Sequence, residues 1–545
     1  MKTIHGALLI GCSALALAGC GADDISSPGA GSVTVPANPT PAPTPAPTPT
    51  PGTVVAAAAC PSTAATSGLA LTDDGVLPGA QGTWRVCTLP SLVKTSATLP
   101  KVAGVIYRLN GRVDVGCDGG FAAPTAGTPF TTTTKACAGK AMTADDNVTL
   151  TIQPGVIVYG DSTTAASWLA VNRGNKLVAE GTANSPIIFT SLQNVTGKEA
   201  NGAAITNDSM GQWGGVVLLG RGIITDCSTG MGTTTGNNCE RVTEGAADPA
   251  NFGGRDNTYS AGSMKYVQIR FSGYSLAPNQ ELQALTGGGI GTGTKLDYIQ
   301  SVNSSDDGSE FFGGALEMKH YVSINADDDS LDLDTGVDAK VQYVLIVQKP
   351  SAGDSFFEFD SNGNEADAPR TKITVANFTA VQTSVGSGNS GNQASMLFRG
   401  NSDVTLVNGV VFTPTNECLR QNGTTAAGSA PTSLIAHSVV MTCGGSGAFL
   451  GTGTYTNANV QTAFNAGTNN NASFTSTLTN TFVNGAGEAA ITPYASLSTL
   501  SSFFTNATYI GAVKDASDVW YRGWTCDTTN ANLGSNSACT ALPTT

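Results

Sequence analysis

The residues best placed to do chemistry are carboxylates that recur at coil-length intervals. Asp306-Asp307-Gly308-Ser309-Glu310 returns 22 residues on as Asp328-Asp329-Ser330-Leu331-Asp332, and Asp328, Asp332 and Asp334 return 26 residues later as Asp354, Glu358 and Asp360. If each repeat is one turn of a stacked coil, Asp306, Asp328 and Asp354 form one column and Glu310, Asp332 and Glu358 another. Asp334 and Asp360 extend a third. Like charges one strand spacing apart, about 4.8 Å, repel and raise one another's pKa unless something neutralises them. A hard cation such as Ca²⁺ suits several carboxylate oxygens together with carbonyls from a turn. The spacing therefore predicts a calcium-bridged column at Asp306, Asp328, Asp354, Glu310, Asp332 and Glu358, with Ca²⁺ as its cofactor. The competing reading is a solvated acidic edge, since turns favour Asp, Asn and Gly.

A column of that kind needs strands that stack in register. Tyr266-Val267-Gln268-Ile269, Tyr298-Ile299-Gln300-Ser301-Val302, Tyr321-Val322-Ser323-Ile324 and Tyr343-Val344-Leu345-Ile346 read as four versions of one short strand. Their first residues lie 32, 23 and 22 positions apart. A period in the twenties suggests a solenoid, and β-branched and aromatic residues with few helix formers make it a parallel β-helix. Tyr298, Tyr321 and Tyr343 are then expected in single file, with His320 at the position that Gln342 fills one coil later. A β-sandwich or propeller is the alternative, but it gives hairpin turns and no coil-length repeat. The stretches 191–211, 223–262 and 421–435 read as loops leaving the coil.

Several segments also resemble a known group. Leu169-Ala170-Val171, Gly174-Asn175-Lys176-Leu177-Val178-Ala179-Glu180-Gly181-Thr182-Ala183 and Pro186-Ile187-Ile188-Phe189-Thr190 are similar to a coil of bacterial surface β-helix proteins. Leu150-Thr151-Ile152-Gln153-Pro154-Gly155-Val156-Ile157 resembles the coil preceding it. With Trp213-Gly214-Gly215-Val216-Val217-Leu218-Leu219-Gly220, the acidic repeat, and Asp518-Val519-Trp520-Tyr521-Arg522-Gly523-Trp524-Thr525, the match to exported right-handed β-helix lipoproteins of the pectate-lyase-like superfold spans roughly residues 100–530. That superfold hosts lyases, hydrolases and adhesins, so the resemblance implies the fold and leaves the activity open. Pectate-lyase-like enzymes pair a calcium site with a basic residue that abstracts a proton from an acidic sugar. Lys319, Lys340, Arg370 and Arg399 are the candidates, none in a diagnostic pattern. Polygalacturonase-like hydrolases add a Gly-His-Gly turn and an Arg-x-Lys strand, and this sequence has neither. Of the aromatic residues, Phe311, Phe312, Phe356, Phe357 and Phe359 mostly read as core. Trp168, Trp213 and Tyr274 read as core more readily than as a sugar-binding groove.

The remaining signals place the protein. Lys2 and His5 precede an apolar run, Ala7 to Ala18, too short to cross a bilayer. Its end, Leu17-Ala18-Gly19-Cys20, resembles a bacterial lipobox, which implies a signal peptide over 1–19 and acylation of Cys20, palmitate included. Gly21 and Ala22 lack the retention aspartate of that family, which implies the outer membrane, at its periplasmic or extracellular face. Residues 20–59 form a tether in which Pro41, Pro43, Pro45, Pro47, Pro49 and Pro51 alternate with small residues, an extended spacer. A net charge of −14 argues against nucleic acid as a partner. Ten further cysteines fall into neighbours, Cys60 with Cys87, Cys117 with Cys137, Cys227 with Cys239, Cys418 with Cys443 and Cys526 with Cys539. In an oxidising compartment these read as five sequential disulfides. Zinc is the weaker alternative, because the sequence has no CxxC and past the signal only His320 and His437.

The expected organisation is thus a disulfide-clipped N-terminal segment over 60–145, an all-β right-handed parallel β-helix of about a dozen coils over 146–510, and a C-terminal cap over 511–545 that covers the solenoid's open end. The expected function is non-catalytic binding of a glycan or another extracellular ligand at the cell surface, beside an outer-membrane transporter. A Ca²⁺-dependent polysaccharide lyase is the alternative, and no catalytic residue is assigned.

Overall fold

The computed structural model describes residues 52–544 apart from 164, 234–237, 247, 278–279, 351–352, 362–366, 383–395, 424–430, 446 and 536. The signal peptide, Cys20 and the tether up to residue 51 lie outside the described residues. Among the described residues no helix is long and apolar enough to cross a membrane.

The Val, Ile, Leu and Phe of each coil face inward, and their burial holds consecutive coils together. An eleven-stranded parallel sheet runs from Leu92–Val93 to Phe449–Gly453, and a fifteen-stranded sheet runs from Thr72–Gly79 to Ser433–Cys443. Between them one apolar core extends from Leu69 to Phe464. The chain is therefore a right-handed parallel β-helix. In early coils two sides of the larger sheet are separate strands, Lys176–Glu180 and Ile187–Ser191, which pair with the two halves of the single strand Gly262–Arg270. Later coils keep those sides in one long strand that bends between them.

The bend is a column of left-handed residues. Tyr266, Tyr298, His320, Tyr343, Asn377, Asn408 and Ser438 all have φ between 50° and 62°. Asn accepts this conformation with little strain, whereas Tyr and His need compensation. Stacking supplies it, with ring centroids 4.4 Å apart for Tyr266 and Tyr298, 4.1 Å for Tyr298 and His320, and 4.9 Å for His320 and Tyr343.

This column corrects the expected tyrosine file. Tyr321 lies opposite Ile299 and Val344, one place along, and points into the core, where its hydroxyl donates to the Ser330 carbonyl at 2.8 Å. His320 stands between Tyr298 and Tyr343, and Gln342 is aligned with Lys319. The cause is a turn of unequal length. Phe312 pairs with Asp334 but Ala315 pairs with Asp338, so Thr335-Gly336-Val337 carries one residue more than Gly313-Gly314.

The C-terminal segment is also placed differently from the expected cap. It runs back along the outside of the larger sheet. Trp524 and Tyr521 pack there against Phe271, Val302, Val322 and Leu345. The end of the solenoid is closed by the helix Asn457–Asn465, whose Val460 and Phe464 enter the core and whose N-terminus is a Thr456–Asn459 capping box. All five sequential disulfides are formed. The loop 191–211 and the described residues of 223–262 leave the coil as read; the centre of 421–435 lies outside the described residues, and its ends belong to strands Leu419–Gly423 and Ser433–Cys443.

Candidate functional site

Alternation along a strand puts successive side chains on opposite faces. In Glu310–Phe312, Leu331–Asp334 and Phe357–Phe359, Phe311, Leu333 and Phe359 enter the core while Glu310, Asp332 and Glu358 face out. Glu310 lies opposite Asp332, and Asp332 opposite Glu358. The second expected column is therefore real and in register. Asp306, Asp328 and Asp354 come from the turns just before these strands, with the Asp354 amide donating to the Asp328 carbonyl at 3.0 Å.

All six predicted residues line one cavity of about 390 Å³ on the outer face of the smaller sheet. Asp307, Asp329, Glu244 and Glu281 join them, making ten carboxylates, with Gln283 as a neutral neighbour. Among the described residues lining it, Arg399 is the one cationic side chain. Asp307 and Asp329 were within reach of the sequence, since each is the second residue of a repeated Asp-Asp pair. Glu244 comes from a loop and Glu281 from the short strand Gln280–Glu281, both outside the repeat, and they carried no signal. Asp334 and Asp360, the expected third column, are not in its lining, though Asp360 joins Glu358 in pairing with Arg399 at its edge.

Three sets of carboxylates bring one oxygen each within 4.8 Å of the others: Asp306, Asp307 and Asp328; Asp307, Glu310 and Asp332; Asp329, Asp332 and Glu358. These clusters can hold a metal ion. Burial, with repulsion from Asp328, raises the Asp306 carboxyl from 3.8 to about 8. Burial and neighbouring carboxylates push Asp307, Glu310, Asp329 and Asp332 well above the ordinary range. Burial and Asp360 raise Asp334 to about 7. Burial works against the charge of Arg399, but Glu358 and Asp360 outweigh it and hold the guanidinium protonated. The Asp332 Oδ1 is buried without a hydrogen-bond partner.

The other basic candidates lie elsewhere. Lys319 donates to the Thr505 hydroxyl at 2.9 Å, Lys340 pairs with Asp338 at 3.0 Å, and Arg370 pairs with Asp403 at 2.9 Å. None lines the acidic cavity. His320 Nδ1 is 2.7 Å from Asp297 Oδ1 within the aromatic stack, and His437 meets Thr468 and stacks on Tyr494. Trp213 and Trp168 are buried, the first against Phe189 and the second beneath Arg112, which makes both structural. Tyr274 is half-buried.

Residues 131–525 match the family model described as a pectate-lyase like beta helix domain. No curated protein and no solved structure matches the chain.

Proposed function

The chain belongs to the pectate-lyase-like β-helix domain family, and on that footing we propose that it is a lipid-anchored surface protein whose acidic cavity takes up Ca²⁺ and binds an extracellular glycan without cleaving it. Ten carboxylates facing one guanidinium carry this reading. An anionic wall of that density repels acidic ligands until divalent cations neutralise it, and oxygen-rich clusters suit Ca²⁺. The lyase alternative requires a base beside the metal. Arg399, the one cationic side chain among the described residues of the lining, is engaged by Glu358 and Asp360 and held charged, so it has no lone pair to accept a proton. In this reading Cys20 carries the lipid, the proline-rich tether spaces the β-helix from the outer membrane, and an outer-membrane transporter is a fitting neighbour.

The test is incubation of the purified protein with acidic polysaccharides and Ca²⁺. Retention on an immobilised polysaccharide that is lost in chelator, with no ultraviolet absorbance from an unsaturated product, is the expected result. Sustained product formation abolished in Asp328→Ala and Asp332→Ala would replace the binding reading with the lyase.

A further inference from the structure

The acidic cavity is built from a unit that repeats once, and the repeat sets how many ions it holds. Asp307, Glu310 and Asp332 form one triad; Asp329, Asp332 and Glu358 form the other. The strand pairing carries Glu310 to Asp332 and Asp332 to Glu358, and the 22-residue interval carries Asp307 to Asp329. The second triad is thus the first moved along the helix axis by one coil, with Asp332 common to both.

The row is closed at each end. On one side Glu310 lies opposite Thr286, which has no charge. On the other, Glu358 lies opposite Leu397, and Ser355 takes the place that Asp307 and Asp329 hold, its amide donating to Asp329 Oδ1 at 2.6 Å. Arg399 sits at that end on Glu358 and Asp360, a fixed cationic terminus. The remaining triad, Asp306, Asp307 and Asp328, includes the exposed Asp328 and has no counterpart one coil on among the described residues.

Two further observations point to ligands inside the row. Glu310 is 6% exposed, and its carboxylate receives no hydrogen bond from any described residue. The Asp332 Oδ1 is buried and has no hydrogen-bond partner among the described residues either. A buried carboxylate oxygen without a donor, as at Asp332, is costly, and a cation between coils relieves it while neutralising Glu310.

We propose that the cavity holds two divalent cations in equivalent positions one coil apart, about 4.8 Å, bridged by the Asp332 carboxylate. This deepens the cation-binding reading above and rests on it. A bridging carboxylate suits the geometry, since each of its oxygens serves one ion. It also makes uptake at the two positions interdependent.

The experiment is equilibrium dialysis of the full chain against Ca²⁺ alone, with bound metal measured by atomic emission. Wild type binds two ions per chain. Asp307→Asn and Asp329→Asn each bind one, because either change removes a single triad while the amide oxygen keeps accepting the backbone hydrogen bond. Asp332→Asn reduces both sites, with at least a tenfold loss in affinity. Circular dichroism of each variant confirms that the fold persists. Two ions in wild type that fall to one in both single variants uphold the proposal. Any other wild-type count from one upward overturns it and leaves cation binding standing. Zero bound ions overturn both.

Discussion

Asp332 faces a carboxylate on each neighbouring strand, and partial burial weakens the screening of their repulsion by water. Without metal, removing its charge therefore stabilises the fold. Asp332→Asn in chelator is expected to raise stability by about 1–3 kcal/mol and to abolish most of the gain that Ca²⁺ gives wild type. Thermal melts of both proteins in chelator and in Ca²⁺ check this, and a variant that melts lower than wild type in chelator would refute it. The same physics fixes the pH dependence. These folded-state pKa values lie above the unfolded ones, so their contribution to stability is complete below about pH 4 and is lost as pH rises through the folded values. For Asp306 and Asp334 those values are about 8 and about 7. Metal-free protein should lose melting temperature between pH 5 and 8, and saturating Ca²⁺ should flatten the loss. A metal-free melting temperature that rises across that interval would show that the carboxylates are not crowded as described.

At the scale of the strand, what the sequence disclosed depended on how regularly each column repeats. The carboxylates at 310, 332 and 358 were legible because their strands are short and the turns ahead of them keep one spacing. The tyrosine strand misled by one place. Tyr321 is a tyrosine like Tyr298 and Tyr343, yet the extra residue in Thr335-Gly336-Val337 puts His320 in their file. Side-chain identity suggested one register and the left-handed backbone imposed another, a conformation that residue type signals clearly only at Asn377 and Asn408. The position therefore discriminates among substitutes. His320→Asn keeps a residue tolerant of φ near 50° and loses the stack, a cost of about 1 kcal/mol. His320→Val adds a β-branched side chain where it fits badly and should cost about 2–4 kcal/mol. Urea midpoints of the two variants test the order. Equal losses would mean that stacking alone matters there.

Across the whole molecule, a solenoid has contacts only between adjacent coils, so distant coils should unfold independently. The C-terminal segment changes that. Working back along the flank, Ser438 donates to the Thr492 carbonyl, Asn408 to Tyr494, Asn377 to Tyr509, Gln342 to Thr505 and Gln300 to Cys526. One segment thus bonds coils from residue 300 to residue 438, and it reaches further to Arg270, which donates to the Cys539 and Ala541 carbonyls at 2.8 Å. This arrangement escaped the sequence because nothing in Trp520-Tyr521-Arg522-Gly523-Trp524 distinguishes an end cap from a lateral strap; both need large aromatics. Trp524 is fully buried, edge-on to Tyr298 at 5.7 Å and to Tyr266 at 6.0 Å. Trp524→Ala should remove about 3–5 kcal/mol from the strap. Because the coils beneath keep their own core, the loss should fall on the strap first. Amide exchange over residues 520–541 should accelerate and a hydrophobic dye should bind the uncovered strip of Phe271, Val302, Val322 and Leu345, while amides of the inward-facing strands stay protected. Wild type should unfold in a single transition and Trp524→Ala in two. If Trp524→Ala instead unfolds in one transition with uniformly faster exchange, the strap is an inseparable part of the β-helix and does not act as a clasp laid over it.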